Sequence, residues 1–430
     1  MNESDVFDII VCGAGPAGLT AAVSAALSGK KVAVFERMPK PGRKLLVTGG
    51  GRCNITKREQ LTKFLRSFDD KEMFVKPSLK QFSQESLIRL FENHGLALHT
   101  SETLQVYPES HKSIDVLNCL LQLAEDNKVE LFTDCNIDKI NIDNGSVTGV
   151  TCHNGNTYES EAVIVAAGGM SYPALGADGR GYGLAQSAGH SIITPVPALA
   201  GLVSKEKWPA QCSGLSIDLV VVYVDTKQFR SIKKRGSVLF THKGVSGPAV
   251  LDLSRYVSRL LQKEKSVKIR IKPLPEMSRE HIDDLFVKVQ QKCGSKRLRF
   301  VLADLLPSRF VNQLMVLADT DPEIRAADVN KQHKLRFLDL LDNGVPLDVI
   351  ATEQFDNSMV TSGGVSCDEI NPQTMESLKT DGLFFCGEVI DVDGPCGGYN
   401  LQWAFSSGFC AGKSAAIKIN NLPIGRCQDN

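Results

Sequence analysis

Residues 8–56 read DIIVCGAGPAGLTAAVSAALSGKKVAVFERMPKPGRKLLVTGGGRCNIT, and this stretch decides the fold. An apolar run, Ile9-Ile10-Val11, has the texture of a buried strand and leads into Gly13-x-Gly15-x-x-Gly18. Pro16 and Ala17 open a helix of small residues, and a second apolar strand, Val32–Phe35, ends at Glu36. Strand, glycine turn, helix, strand and acid in this order form the dinucleotide fingerprint. Gly13 allows the tight turn, Gly15 lets the backbone approach a diphosphate, and Gly18 with Ala21 and Ala22 lets the helix lie close on the sheet. The helix N-terminus offers N–H groups and a positive dipole end to phosphate. The carboxylate of Glu36 stands where an adenosine ribose would be met.

The fingerprint alone admits NAD or FAD, and the next segment favours FAD. Instead of a third short βα unit, the chain runs through Pro41-Gly42-Arg43-Lys44 to Thr48-Gly49-Gly50-Gly51-Arg52-Cys53-Asn54. Three successive glycines cost backbone entropy and bring no packing side chain. They make sense where backbone passes directly against a flat ligand, here a flavin. Arg37, Lys44, Gly49, Gly50, Gly51 and Asn54 are therefore counted with the cofactor set. Cys53, inside the same loop, is a candidate proton donor or nucleophile as well as a candidate core residue.

Further along, Ala162–Ala167 reads as a buried strand closing on Gly168-Gly169, so Ala167 and Gly168 are expected against the cofactor. Near the end, the apolar strand at 382–386 runs into Gly387-Glu388. A second glycine loop, Gly394-Pro395-Cys396-Gly397-Gly398-Tyr399-Asn400, then feeds a long helix over Leu401–Ile419. The N–H groups of Asn400 and Leu401 are expected to face the N1–C2=O edge of the flavin, because a helix N-terminus stabilises negative charge there.

Four blocks carry a resemblance: GRKLLVTGGGRCNIT (42–56), FTHKGVSGPAVLDLS (240–254), TSGGVSCDEI (361–370) and GLFFCGEVIDVDGPCGGYNLQWAFSSG (382–408). On these the chain resembles the bacterial NAD(P)/FAD-dependent oxidoreductases that include aminoacetone-oxidase-like flavoproteins. The resemblance implies a glutathione-reductase-type α/β FAD-binding Rossmann fold with inserted β-rich, barrel-like and small helical domains. It further implies that Gly387 and Glu388 engage the ribityl–phosphate region and that Ile137 lends backbone to the adenine. Two places depart from the family pattern, Asp178-Gly179-Arg180-Gly181-Tyr182 and Gln105-Val106-Tyr107-Pro108.

The chain has 430 residues, long enough for two or three domains, and its basic and acidic residues balance at 49 each. That balance gives no global attraction to nucleic acid or anionic membrane. No apolar run spans a membrane, and the acidic start MNESDVFD has no signal-peptide texture. The cysteines show no C-x-x-C pair, which is the usage of a reduced, cytoplasmic protein. Domain texture divides the chain into 1–193 (cofactor fold), 194–272 (β-rich), 273–327 (helical), 328–356 (β-rich) and 357–430 (cofactor fold). Helical spacing covers Ser78–His94 as one element, Thr194-Pro195-Val196-Pro197 reads as a break, and Asn144-Gly145 and Asn154-Gly155 read as hairpin turns.

There is no second fingerprint and no redox cysteine pair, so electrons must come from a substrate or from an NAD(P)H that visits the flavin. His242, in Thr241-His242-Lys243-Gly244, could shuttle a proton or make a structural hydrogen bond. Asp391 and Asp393 lack neighbours with ligand spacing, so no metal is expected. The basic clusters Lys227, Arg230, Lys233, Lys234, Arg235 and Lys292, Lys296, Arg297, Arg299 have almost no interleaved aromatics and read better as solvated faces than as an RNA surface. The expected activity is hydride transfer with a small organic substrate. It takes the form of C=C or C=O reduction, or of amine oxidation. An RNA-modifying flavoprotein and a non-catalytic flavin-binding regulator are the alternatives. Neither oligomeric state nor substrate identity is readable.

Overall fold

The structure is a computed structural model describing residues 6–226, 229 and 231–421. Lys227 and Arg230 of the first basic cluster lie outside the described residues. The chain divides into two compact units, residues 1–196 with 359–430, and residues 197–358.

The first unit is built on a sheet whose parallel part runs Glu130–Phe132, Val32–Phe35, Val6–Cys12, Thr157–Val165, Leu383–Phe385. Ile9, Val11, Val34, Val163 and Ile164 are buried without exception, as strands covered on both faces require. Register is in step across the sheet: Val11 pairs with Val34 on one side and Ile164 on the other, and Ile164 pairs in turn with Phe384. All strands of this group therefore end on one edge, where the fingerprint turn sits. The antiparallel strands Ile137–Asp143 and Ser146–Cys152 complete the sheet, turning at Asn144-Gly145, where both residues have positive φ. The second turn signal, Asn154-Gly155, joins Ser146–Cys152 to Thr157–Val165.

The fingerprint helix, Pro16–Ala26, lies along the final helix, Tyr399–Asn420, and the two backbones touch. A Cβ at Gly408 would stand 2.3 Å from the carbonyl oxygen of Ala17, and one at Gly412 would stand 2.0 Å from that of Ala21. Residues four apart lie on one helix face, so an Ala17/Ala21 stripe meets a Gly408/Gly412 stripe. Side chains any larger would separate the helices and the N-termini they carry.

Two segments differ from the sequence expectation. The segment 78–94 is not one helix: Glu72–Gln81 ends, and Gln84–Asn93 begins anew with Ser83 as its cap, the Ser83 hydroxyl accepting from Ser86 N–H at 3.2 Å. A capping serine overrode the continuous apolar spacing. The prolines at 195 and 197 do not end regular structure either. Ile192–Ala198 is a strand, paired with Val360–Val365 in a two-stranded sheet. In a ribbon of two strands every strand is an edge, so a missing proline N–H costs no ladder bond when it faces outward.

The second unit is a closed six-stranded barrel: Leu202–Ser204, Gly244–Ser246, Lys233–Phe240, Ser216–Val224, Val267–Lys272 and Val345–Thr352, the last pairing back to the first. The helix Pro248–Leu261 plugs it with Ala249, Val250, Leu253 and Val257, all fully buried. The helices Arg279–Cys293, Leu298–Leu302 and Ser308–Leu317 share this core. Phe310 lies 5.4 Å from Phe240 of the barrel wall, ring centre to ring centre. No helix of the described residues is long and apolar enough to cross a membrane.

Candidate functional site

A cavity of the first unit opens at the strand edge where the two helix N-termini converge. Gly13, Gly15, Pro16 and Ala17 form one wall and Asn400, Leu401, Trp403 and Ala404 another. The N–H groups of Asn400 and Leu401 fall in the first helical turn, before the first intrahelical bond, Gln402 N–H to Gly398 carbonyl at 3.1 Å. Neither helix has a side-chain cap. Both ends thus present polarised N–H groups toward one space.

The glycines of the fingerprint divide by role. A Cβ at Gly13 would stand 2.7 Å from the Ala166 carbonyl oxygen, and Gly13 has a φ of +109°. A Cβ at Gly18 would stand 1.9 Å from the Gly13 carbonyl oxygen, so Gly18 is packing and is absent from the cavity wall. At Gly15 a Cβ would meet no protein atom within 4 Å. Nothing in the protein demands glycine there; a ligand lying against the backbone does. With basic side chains (Arg37, Arg43, Lys44, Arg180) also in the wall, the cradle fits a dinucleotide such as FAD.

Glu36 reaches under the turn. Its carboxylate accepts from Ala14 N–H at 2.9 Å and from Met38 N–H at 2.8 Å, which fixes its direction while leaving lone pairs for a ligand. Arg37 pairs with Asp178 at 3.1 Å, and Arg180 shares that carboxylate at 3.0 Å. Ile137, Ala167 and Gly168 also line the cavity. Lys44 and Glu388 form an ion pair at 2.6 Å within the wall, each about one-fifth exposed. The other Glu388 oxygen accepts from Thr361 N–H at 2.8 Å.

Gly387 lies behind the wall, held twice by the final helix: its N–H donates to Ser407 Oγ at 2.9 Å, and its carbonyl accepts from Trp403 Nε1 at 3.1 Å. The Asn400 amide is turned back on its own loop, accepting from Gly394 N–H at 2.7 Å and donating to the Gly394 carbonyl at 2.9 Å. What Asn400 offers the cavity is backbone.

The triple-glycine turn departs from the picture of a wall against the ligand. Gly49, Gly50 and Gly51 all have positive φ, Gly49 and Gly50 are exposed, and the cavity wall stops at Thr48. Asn54 joins the two glycine loops to each other. With its amide oriented to suit both neighbours, it donates to the Thr56 carbonyl at 3.0 Å and accepts from Gly398 N–H at 3.2 Å. Cys53 is fully buried and outside the wall, and burial pushes its thiol up to about 12 against a Thr48 hydrogen bond that lowers it. This placement is that of a core residue. His242 sits on the exposed turn between two barrel strands of the second unit, where the Thr241 hydroxyl accepts from Lys243 and Gly244 N–H.

Sequence reasoning missed Thr48, Asn136, Asp178 and Trp403 in the wall. Thr48 and Asp178 had signals, since Thr48 opens the glycine loop read as facing the flavin and Asp178 lies in a segment that departs from the family pattern. Among the described residues no group of three or more His, Cys, Asp or Glu could hold a metal ion, and no disulfide is formed.

The chain matches the family described as HI0933-like protein Rossmann domain over residues 7–414. It is 33% identical over 409 residues to a 3-dehydro-bile acid delta(4,6)-reductase of Clostridium scindens, covering 94% of this chain and 98% of that one. It is 32% identical over 421 residues to a ribosomal RNA dihydrouridine synthase of Escherichia coli, covering 96% and 99%. Among solved structures, the 3-ketosteroid delta1-dehydrogenase of Sterolibacterium denitrificans shares the fold at a TM-score of 0.53 and 13% identity, covering 96% of this chain and 100% of that one. The Sdh1 complex of Mycobacterium smegmatis does so at 0.53 and 18%, covering 97% and 69%. The chain therefore belongs to the HI0933-like family of FAD-binding Rossmann proteins, and it is a flavoprotein oxidoreductase.

Proposed function

We propose that this protein reduces a carbon–carbon double bond conjugated to a carbonyl, using FAD reduced by a visiting NAD(P)H. The observation that carries the cofactor half is the convergence of two uncapped helix N-termini on one cavity. The substrate class is supported by the curated relatives. A delta(4,6)-reductase acting on a 3-dehydro compound and a dihydrouridine synthase both name hydrogen added across a C=C bond beside a carbonyl.

Bound FAD would supply the two-electron, hydride-transferring chemistry. In this reading Gly13, Gly15, Pro16 and Ala17 bind its diphosphate, Glu36 its ribose, and Ile137 borders the adenine. The Lys44–Glu388 pair, with Gly387 behind it, orients the ribityl region. The N–H groups of Asn400 and Leu401 stabilise negative charge at the ring, which favours reduction. Absence of a second fingerprint makes NAD(P)H a transient visitor rather than a resident.

A second reading, a uridine in RNA as substrate, is favoured by the near-full-length likeness to the rRNA-modifying relatives. Against it stands the neutral overall charge. Anaerobic stopped-flow separates the cases: NADH or NADPH should bleach the flavin, and an enone such as a 3-oxo-Δ4 steroid should restore its colour. Recovery only with uridine-containing RNA selects the second reading. Bleaching by amines, with recovery only by oxygen, defeats both.

A further inference from the structure

The wall of the cavity contains a feature that its binding chemistry does not use. Cys135 is part of the wall, next to Asn136 and Ile137, and its Sγ lies 3.2 Å from the Sγ of Cys152. Cys152 is buried, only 2% exposed, at the end of the strand Ser146–Cys152, directly across the ladder from Ile137. Two reduced thiols at this separation are in contact, and closing to a bond of about 2.05 Å needs a small rotation rather than a refolding. We infer that Cys135 and Cys152 are an oxidative modification site, a thiol pair that an oxidant entering the empty cofactor cavity converts to a disulfide. The inference rests on the cavity being the FAD site proposed above.

The geometry assigns different parts to the two sulfurs. Cys152 is buried behind the wall, and burial and the adjacent thiol raise its pKa, whereas Cys135 belongs to the wall, so the sulfur that meets the oxidant first is that of Cys135. With a peroxide as oxidant, Cys135 Sγ takes one oxygen to give a sulfenic acid and releases water. Cys152 Sγ then displaces the second water as the S–S bond forms. The two sulfurs give up two electrons and their two thiol protons, and hydrogen peroxide is reduced to two waters. The disulfide draws Cys135 away from the cavity. Cys135 N–H donates to the Glu36 carbonyl at 3.0 Å, and the Asn136 carbonyl accepts from His153 N–H at 2.8 Å. The displacement is thus transmitted to the segment bearing Glu36 and to the Ile137 wall. Oxidation and FAD binding oppose one another.

The test uses the purified, FAD-containing full chain treated with hydrogen peroxide, with peptide mass mapping without reductant and free FAD measured by ultrafiltration. Trypsin cuts at Lys139, between the two cysteines, so the linkage appears as a joined peptide pair. In FAD-free buffer the linkage should accumulate together with released FAD, and dithiothreitol should reverse both. With added FAD at about ten times its Kd, only about a tenth of the cavities are empty, and linkage should slow roughly tenfold. Cys152→Ala and Cys135→Ser should each hold FAD through the same treatment. The inference fails if other thiols react while this pair stays reduced, or if Cys152 joins Cys12 instead. It also fails if the linkage forms without loss of FAD. A preparation that takes up no FAD at all would instead overturn the cofactor reading, the peptide map still reporting on the thiol pair.

Discussion

Gly408 lies so close to Ala17 that a Cβ on it would stand 2.3 Å from the Ala17 carbonyl oxygen. This contact joins the two ends of the chain: Ala17 begins the fingerprint helix, and Gly408 is ten residues along from Gly398, the N-cap of the final helix. Because the contact is backbone on backbone, no rotamer change relieves an added side chain. Gly408→Ala is expected to cost about 1–3 kcal/mol of stability and to reduce FAD retention, since both N-termini shift. Gly183, on the exposed face of the helix Arg180–Ser187, has nothing within 4 Å of its Cβ position. Gly183→Ala should stabilise by about 0.4–1 kcal/mol. Urea denaturation of the two variants beside the parent checks the pair. Equal behaviour would mean the helix contact is not tight.

Glu36 holds the fingerprint turn from below, and this makes its two substitutions separable. Glu36→Ala leaves Ala14 N–H and Met38 N–H without their acceptor, a loss of about 1–3 kcal/mol for each buried donor left unpaired. FAD should then be lost on dialysis. Glu36→Gln keeps one oxygen and should keep part of the bound FAD. Full yellow occupancy in Glu36→Ala after extensive dialysis would remove Glu36 from the site.

The Lys44–Glu388 pair spans 344 residues of sequence at 2.6 Å. Both groups are partly solvated, so the pair itself contributes little; what matters is a carboxylate kept neutralised in a wall that should receive phosphate. Lys44→Met leaves that charge unpaired, and FAD binding should weaken roughly tenfold, about 1.4 kcal/mol. Lys44→Met combined with Glu388→Gln should recover most of it, because the amide that replaces the carboxylate keeps an oxygen to accept from Thr361 N–H. Isothermal titration of stripped protein with FAD reads both. No recovery in the double variant would assign Lys44 a direct phosphate contact instead.

Why these contacts were or were not legible follows from their length scale. The fingerprint could be read because a turn, a helix N-terminus and an acid are local, and Gly13, Gly15 and Glu36 carry their meaning within one βα unit. The second glycine loop could be read because it imitates the first. For Gly49–Gly51 the sequence signals a special turn, which their positive φ bears out, but not what the turn faces. Ser83 and the prolines of Ile192–Ala198 were misjudged because a cap and a two-stranded edge depend on partners, the latter on Val360–Val365 far along the chain. Cys53 and the Cys135–Cys152 approach depend on burial and tertiary distance, which spacing does not encode.

Acid stability offers a last check on how the first unit is tied together. Glu369 accepts from Lys379 Nζ at 2.6 Å and from Ser191 N–H at 2.8 Å, and its carboxylate lies 3.3 Å from His190 Nδ1. Burial alone would raise its pKa, but these partners hold it down at about 2, against an ordinary 4.5. His190, its side chain fully buried and bonded through Nε2 to Ser377 Oγ at 2.7 Å, is lowered from 6.5 by burial, with Glu369 opposing. Each group binds fewer protons folded than unfolded, so each makes stability fall as pH falls. The His190 contribution is complete above pH 6.5 and is lost below it. That of Glu369 is complete above pH 4.5 and is lost as pH falls toward 2. Denaturation midpoints measured from pH 7 to pH 2 should therefore decline in two stages. Glu369→Gln should abolish the lower stage and steepen the upper, because His190 loses the neighbouring carboxylate that favours its charged form. An unchanged lower stage in that variant would show that acid unfolding starts elsewhere.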